Sequence, residues 1–464
     1  MFVLKQTTDQ EESPMESTLC CPTPATSPAT ARGKSGEVVV TPSALLEAFA
    51  EVPDPRRRQG IRFALPTILA LAACAILANH LSVLAIAEWG VALSHDLLAS
   101  LGFKDGVTPH QSTIQRLFQK LDPDALSRTL TAHFARLTAP NSESGQASRR
   151  GSQGVAFDGK AQRGRLRFDS AGCPVHALSA YLHDLGVVLA QEPIEPHPLA
   201  TSLPTPGDTP APKPTEPKPT EAAETKQPPI DKAAIDKAEA ELSVAPELLK
   251  RLDWHGRVLT GDALFCQRSL CQQVVESGGD YLFIVKGNQP RLYEDIRLLF
   301  DPPEGLALPL DDRREARSVD HGHGRRYDTR VLVASTDLVG YSDWPFLAQV
   351  FSLERTWQEK GKIKREVRFG VTSLPREVAD AERLLELKRA HWQIENCDHY
   401  VKDVTLGEDR SLVHLGNGPS VLATLRDLAL SLLHRAGHRT IASRLRFHST
   451  HPQAAVALFL GQNA

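Results

Sequence analysis

Three acidic residues occupy positions from which carboxylates can hold metal ions. Asp158 and Asp262 each end an apolar run typical of a buried strand, and Glu395 lies in a stretch with helical periodicity. Considered alone, an aspartate after a strand is more often a turn-former or a helix cap. Together, two aspartates on adjacent strands and a glutamate on a helix packed against them can chelate two divalent cations about 3.5–4 Å apart for phosphoryl transfer. Hard oxygen ligands favour Mg²⁺ or Mn²⁺.

The glutamate belongs to residues 381–410, for which the sequence predicts a helix. Apolar residues recur there at three- and seven-residue spacing and predict one buried stripe, made of Leu384, Leu387, Ile394 and Val401. Residues three or four apart predict a second, polar face, made of Lys388, His391, Glu395, His399 and Lys402. The two His residues distinguish this face from an ordinary salt-bridged surface, which remains the alternative interpretation.

Cationic residues accompany the three carboxylates along the sequence. They include Lys160, Arg163, Lys286 and Lys402. The net charge of -3 indicates no overall basicity, so a site for a polyanion must come from such local clusters. Scattered surface charge is the alternative, and local patches suited to phosphate groups are the sharper hypothesis.

The elements that must position these residues indicate a mixed α/β sheet with flanking helices. Strand-like runs at 154–158, 176–181 and 186–191 predict an antiparallel meander, and strands alternate with helices from 238 to 300. Residues 305–375 return to strand-like alternation and predict a β-rich insertion. The Pro/Thr/Lys/Glu tract at 192–237 cannot bury a core and predicts an extended polar insert.

The two ends of the chain differ from this pattern. Residues 1–40 lack any periodicity and predict a disordered tail, and residues 437–464 predict a C-terminal tail. Residues 41–140 predict an all-helical domain, in which the helix after Thr108 and Pro109 fits a DNA-reading helix-turn-helix and a plain helical bundle equally well. Residues 64–87 form a long apolar stretch, which Pro66, Asn79 and His80 interrupt. We therefore expect a buried helical hairpin there and no membrane span.

Several motifs resemble one enzyme family. The runs VAFDGKAQRG, LTGDALFCQ, GGDYLFIVKGNQP, HWQIEN and VTLGEDRS, in this order, resemble the motifs of DDE-class insertion-sequence transposases of the H-repeat-associated branch. The stretch DPRRRQGIRFALPTILALAACAILA resembles the helical domain that precedes the catalytic core in that branch. The resemblance covers residues 43–436 and implies an RNase H-like core at 150–436, interrupted by the β-rich insertion.

The resemblance also implies a reaction. Asp158, Asp262 and Glu395 would be the catalytic, metal-binding triad, with two Mg²⁺ or Mn²⁺ ions as cofactors. The enzyme would nick double-stranded DNA at the ends of a mobile element, as an endonuclease, and a 3′-hydroxyl would then attack target DNA. A homodimer in the DNA complex and a cytoplasmic, nucleoid-associated location are further expectations. A catalytically inactive DNA-binding relic and a stand-alone nuclease are the alternatives.

Phosphate contacts are the last set of residues that the resemblance implies. They are Lys160, Arg163, Lys286, Asn288, Arg389, His391, Lys402 and Arg410. Related transposases place a Tyr and an Arg seven and four residues before the glutamate and a Lys seven residues after it. Lys402 fits this pattern, whereas Lys388 and His391 occupy the two earlier positions. Arg389 and His391 are therefore predicted as phosphate contacts only because they lie close to Glu395 in the sequence.

Overall fold

A computed structural model describes residues 44–59, 61–138, 152–162, 175–194, 232–304, 311–322, 326–359 and 361–462. Arg163, the predicted N-terminal tail and most of the predicted polar insert lie outside these ranges. The helices, in chain order, are α1 (Ala44–Ala50), α2 (Leu65–Leu77), α3 (Val83–Ala92), α4 (His95–Ser100), α5 (Gln111–Lys120), α6 (Pro123–Thr138), α7 (Lys232–Lys250), α8 (Arg268–Glu276), α9 (Pro290–Phe300), α10 (Ala381–His391), α11 (Gly418–Arg435), α12 (Ile441–Thr450) and α13 (Pro452–Phe459).

The N-terminal helices surround α2, which is buried at every position except Pro66. Small alanine side chains along α2 allow neighbours to approach on all sides, and α1, α3, α11, α12 and α13 pack against it. The segment from 437, predicted as a tail, thus contains two packed helices. Among the described residues, no helix combines the length and the apolar character that a bilayer crossing requires.

One mixed sheet forms the centre of the molecule. Its strands are β1 (Gln153–Gln162), β2 (Val175–Leu182), β3 (Val187–Ile194), β4 (Arg257–Gly261), β5 (Asp280–Val285), β6 (Arg314–Gly322), β7 (Arg326–Ser335), β8 (Gln349–Glu359) and β9 (Lys362–Thr372). Their spatial order is β3-β2-β1-β4-β5-β9-β8-β7-β6. Strands β1, β4 and β5 run parallel, and the other pairs are antiparallel. Because β9 pairs with β5, the strands of residues 305–375 continue the same sheet.

Helices cover both faces of the central strands. Alternate side chains of β4 and β5 point to opposite faces, as the period of a strand requires. Leu259 and Phe283 join a core with α7, α8 and α9, whereas Val258 and Leu282 join a second core under α10. Burial on both faces explains why these strands read as continuous apolar runs in the sequence.

Gly370 in β9 lies where the sheet has no room for a side chain. A Cβ at this position would lie 2.1 Å from Cζ of Phe351 and 2.6 Å from the carbonyl oxygen of Phe283. We therefore expect Gly370→Ala to lower the free energy of unfolding by about 3 kcal/mol, since overpacking forces the backbone apart. Urea denaturation measures this. At Gly287 a Cβ would meet no atom within 4 Å, so Gly287→Ala is the control, and equal stability of the two variants would contradict the packing.

Candidate active site

The parallel strands bring two of the predicted acidic residues to one edge of the sheet. Ala156 in β1 pairs with Thr260 in β4, so Asp158 and Asp262, each two residues further along, lie at the same level. Lys286 directly follows β5, the next parallel strand. The carboxyl ends of parallel strands are where ligands bind in open α/β sheets. Asp262 follows the end of β4, whereas β1 continues past Asp158 to Gln162 alongside β2, so the prediction that Asp158 ends its strand is wrong.

The stretch that carries Glu395 is wound differently from the predicted helix. Helix α10 ends at His391, and π-helical backbone follows at Ile394–His399 and Val401–Thr405. The amide of Tyr400 donates to the carbonyl of Glu395, five residues earlier, as the π-helix requires. The predicted single α-helix over 381–410 is therefore wrong. Its polar face does not form as a whole, because the change of winding redirects the side chains beyond His391, although Glu395 and His399 stay in contact.

Three potential metal ligands converge where this π-helical segment meets β1. Each of Asp158, Glu395 and His399 offers one ligand atom, and these atoms lie within 4.8 Å of one another. Nδ1 of His399 lies 3.4 Å from an oxygen of Asp158 and 3.7 Å from an oxygen of Glu395. His399 is buried, while Glu395 is half exposed. The cluster is therefore rigid on one side and open to solvent on the other.

The two carboxyl groups of this cluster have opposite proton affinities. Burial raises the pKa of Asp158 to about 9, and the adjacent Glu395 adds to the rise. The hydrogen bond with His399 and then that with Asp158 lower the pKa of Glu395 to about 2. Two carboxylates this close cannot both stay ionised without a cation between them. Two carboxylates and an imidazole that face one point therefore fit a divalent cation, which would take the place of the shared proton.

Asp262 does not join that cluster. Its carboxylate is exposed, and one oxygen accepts a hydrogen bond of 2.9 Å from the amide of Leu264, at the start of a short 3₁₀ turn. In the described part of the chain, the group of ligand atoms within 4.8 Å contains Asp158, Glu395 and His399 only. Asp262 thus lies at the predicted end of the parallel strands, but its carboxylate caps the 3₁₀ turn that follows it.

Lys388 and His391 lie beneath the site, and both are buried. Burial and the charge of Arg368 lower the pKa of Lys388 to about 7, although the nearby Asp262 opposes this. Nδ1 of His391 lies 3.1 Å from the hydroxyl of Thr260, whose oxygen also lies 3.1 Å from Nε2 of His183. The His183–Thr260–His391 triad connects the end of α10 to β4 and so fixes where the π-helical segment begins.

Thr260→Val tests that triad. The change keeps the shape of the side chain but leaves two buried imidazoles without the hydroxyl. We expect a loss of about 2 kcal/mol in the free energy of unfolding, because unsatisfied buried polar groups are costly. Thermal denaturation measures it. Thr329→Val, on β7, is the control, and equal melting temperatures would show that the triad contributes nothing.

The predicted phosphate contacts fall into two groups. Lys286, Asn288 and Arg410 are exposed near the site, and Asn288 also donates a hydrogen bond of 2.7 Å to the carbonyl of Ala263 in the Asp262 turn. The other described members of the set are buried or paired with carboxylates or a hydroxyl, namely Lys160, Arg389, His391 and Lys402. Such pairing does not favour direct contact between these four residues and DNA. Arg163 lies outside the described residues.

The structure adds two residues to the candidate site that the sequence does not predict there. The sequence predicts His399 on the polar face and not among the ligands, although its spacing of four from Glu395 is a signal for a ligand. Glu241 in α7 is buried, and its Oε1 would lie 2.2 Å from a Cβ at Gly159. Its charge also contributes to the raised pKa of Asp158. No signal in the sequence marks Glu241, because its proximity to Asp158 depends on how α7 packs on the sheet.

Comparison with known proteins gives a consistent family. A family model described as a transposase DDE domain matches residues 223–432, and a DDE_Tnp_1-associated model matches residues 46–134. Together they cover more than half of the chain. The first match includes Asp262 and Glu395, whereas Asp158 precedes it.

Two relatives carry names of the same kind. "Putative transposase YncI" of Escherichia coli O157:H7 is 25% identical over 84% of this chain and 87% of its own length. "H repeat-associated putative transposase YhhI" of Escherichia coli K12 is 29% identical over 42% of this chain and 51% of its own length. Among solved structures, a piggyBac transposase synaptic complex with hairpin DNA aligns with 91% of this chain and 82% of that chain, at 11% identity and a TM-score of 0.37. That structural similarity is too low to support an inference.

Proposed function

Since the chain belongs to the DDE transposases, we propose that it cleaves DNA at the ends of a mobile element and joins those ends to target DNA. The observation that carries this proposal is the convergence of Asp158, Glu395 and His399 at the edge of the parallel strands. Double-stranded DNA is the proposed partner, with a homodimer in the DNA complex. The proposed location is the cytoplasm, in association with the nucleoid.

We infer an RNase H-like catalytic domain at 150–436, preceded in the same chain by a helical domain at 41–140 that binds DNA. The antiparallel meander β3-β2-β1 followed by parallel β4 and β5 supports this inference. The strands of the insertion at 305–375 extend this core, and α10 packs against both parts. The Pro-rich insert at 192–237 would leave such a core intact, because lengthening a surface loop costs little.

Asp158, Glu395 and Asp262 are the proposed catalytic residues and metal ligands, for two Mg²⁺ or Mn²⁺ ions. When bound, such ions activate a water or hydroxyl and neutralise charge at the scissile phosphate. His399 would join Asp158 and Glu395 as a further ligand through its Nδ1. Asp262 would join them after its carboxylate turns away from the amide of Leu264. Exposed Lys286 and Arg410 would attract and orient the DNA backbone.

A metal-dependent nicking assay on DNA that carries the flanks of the coding region tests this proposal. We expect nicks at the element ends with Mg²⁺ and none with EDTA. A pre-cleaved end should then be joined to a second DNA molecule. Binding without nicks would favour an inactive relic, and nicks without joined products would favour a stand-alone nuclease.

A further inference from the structure

Two lysines that the sequence assigns to DNA contacts lie instead inside the protein, around the π-helical segment. The side chain of Lys402 is only 2% exposed, and its Nζ lies 2.8 Å from Asp398 and 2.6 Å from Asp427 in α11. Burial lowers the pKa of Lys402, but the charges of Asp398, Asp427 and Glu408 outweigh this and raise its pKa above the ordinary value. Lys402 is therefore a charged residue whose charge is already neutralised within the fold.

Lys160 holds the same segment from the other side. It extends from β1, two residues after Asp158, and its side chain is 8% exposed. Its Nζ lies 2.5 Å from Asp403 and donates to the carbonyl of His399 at 3.5 Å. The π-helical segment is thus attached to β1 through Lys160 and to α11 through Lys402.

The π-helical winding determines on which side of the segment each attachment lies. Glu395 and His399 form one pair directed to β1, and Asp398 and Lys402 form a second pair directed to α11. The pairs are offset by three residues. In an α-helix, residues three apart lie on the same face, whereas a π-helix turns less per residue and separates them. π winding therefore separates the attachment to β1 from the attachment to α11 more than α winding would. His399 lies between the two pairs, since its Nε2 is 3.6 Å from Asp398.

We propose that Lys402 and Lys160 are positioning residues that hold residues 394–405 in the π-helical winding that presents Glu395 and His399 to Asp158. The charge clamp consists of Lys160, Asp403, Asp398, Lys402 and Asp427. If the clamp is removed, the segment relaxes toward the more stable α winding, and Glu395 turns away from Asp158. This inference rests on the proposed function, because it assigns Glu395 to the catalytic site. It replaces the phosphate contact predicted for Lys402.

Lys402→Met gives the first test. It leaves two buried carboxylates without a cation, so we expect the full chain to unfold at a temperature about 10 °C lower. Its binding to a mixed-sequence DNA duplex should keep the wild-type salt dependence. Loss of a phosphate contact would instead reduce the slope of log K against log salt by about 0.9. Arg410→Met removes an exposed cation close to the same segment and serves as the matched control for a change in slope.

A neutral triple variant separates positioning from stability. Asp398→Asn, Lys402→Met and Asp427→Asn together remove all three charges, and buried ion clusters replaced as a whole often keep their stability. We expect the melting temperature to return toward the wild-type value. The affinity for Mn²⁺, measured by electron paramagnetic resonance, should stay at least about tenfold weaker than in the wild type. Cleavage should stay about a hundredfold slower than in the wild type. Recovery of Mn²⁺ binding and cleavage along with stability would overturn the proposal.

Lysine accessibility in the wild-type chain tests the clamp without any variant. An acylating reagent should modify Lys286, as detected by mass spectrometry, and bound DNA should protect this lysine. Lys160 and Lys402 should stay unmodified with and without DNA. Modification of Lys402 that DNA prevents would overturn the proposal. This experiment does not need catalysis, so it gives its result even if the wild-type chain binds no Mn²⁺ and cleaves no DNA, an outcome that would contradict the proposed function alone.

Discussion

Asp158→Asn is expected to abolish DNA cleavage and, at the same time, to stabilise the metal-free protein. The change removes one of the two carboxylates that converge with His399. We expect cleavage with Mg²⁺ to fall at least about a thousandfold, which corresponds to about 4 kcal/mol of transition-state stabilisation. Binding to DNA should persist, because Asp158 contributes no positive charge.

The stabilisation follows from the raised pKa of Asp158. In the folded state this pKa is about 9, whereas an unfolded aspartate titrates near about 3.9. The folded state therefore binds more protons, and its stability falls as the pH rises between these two values. Asn carries no such cost. We expect the variant to exceed the wild type by about 1–2 kcal/mol at pH 8 in EDTA, and by little near pH 4.

Asp262→Asn is the matched comparison for this prediction. It should also lose cleavage if Asp262 turns toward the ions. Its stability should stay at the wild-type value, because the side chain is exposed and Asn caps a turn as well as Asp does. Equal stability of the Asp158 variant and the wild type at pH 8 would show that the two carboxylates do not repel each other.

Metal binding is expected to expel a proton, which is the second large effect. Below its pKa of about 9, Asp158 carries a proton that a cation must displace. The affinity for Mn²⁺ should then rise almost tenfold per pH unit, or about a hundredfold from pH 6 to pH 8. Isothermal titration calorimetry in buffers of different ionisation enthalpy measures the released protons.

A flat pH profile without proton release would contradict the shared-proton arrangement of Asp158 and Glu395. The Asp158→Asn variant is the control, since it has no such proton to lose. Its remaining affinity should be weaker and nearly independent of pH across the same range.

Much of the central sheet could be predicted because its signals are local. Continuous apolar runs marked β4 and β5, and short turns marked the meander β1–β3. Parallel pairing of β1 with β4 brings Asp158 and Asp262 to the same level. Only β4 ends at its carboxylate, as predicted, because β1 continues past Asp158 to Gln162 alongside β2. The family resemblance, carried by motifs, agrees with the matched family models.

The details of the site could not be predicted because they depend on contacts across the fold. A spacing of three and four residues predicts one α-helical face, and nothing in it marks a change to π winding, so it does not show where α10 ends. Lys402 pairs with Asp427, 25 residues away in another helix. Nothing in a local motif distinguishes that buried partner from a phosphate. The capping role of Asp262 likewise depends on one backbone amide.

The position of bound Mn²⁺ is the most direct test of a catalytic centre at this edge of the sheet. Anomalous diffraction from crystals of the full chain with Mn²⁺ and DNA locates the ions. We expect a peak in contact with carboxylate oxygens of both Asp158 and Glu395. A peak elsewhere, with these two carboxylates still paired to each other, would contradict the account.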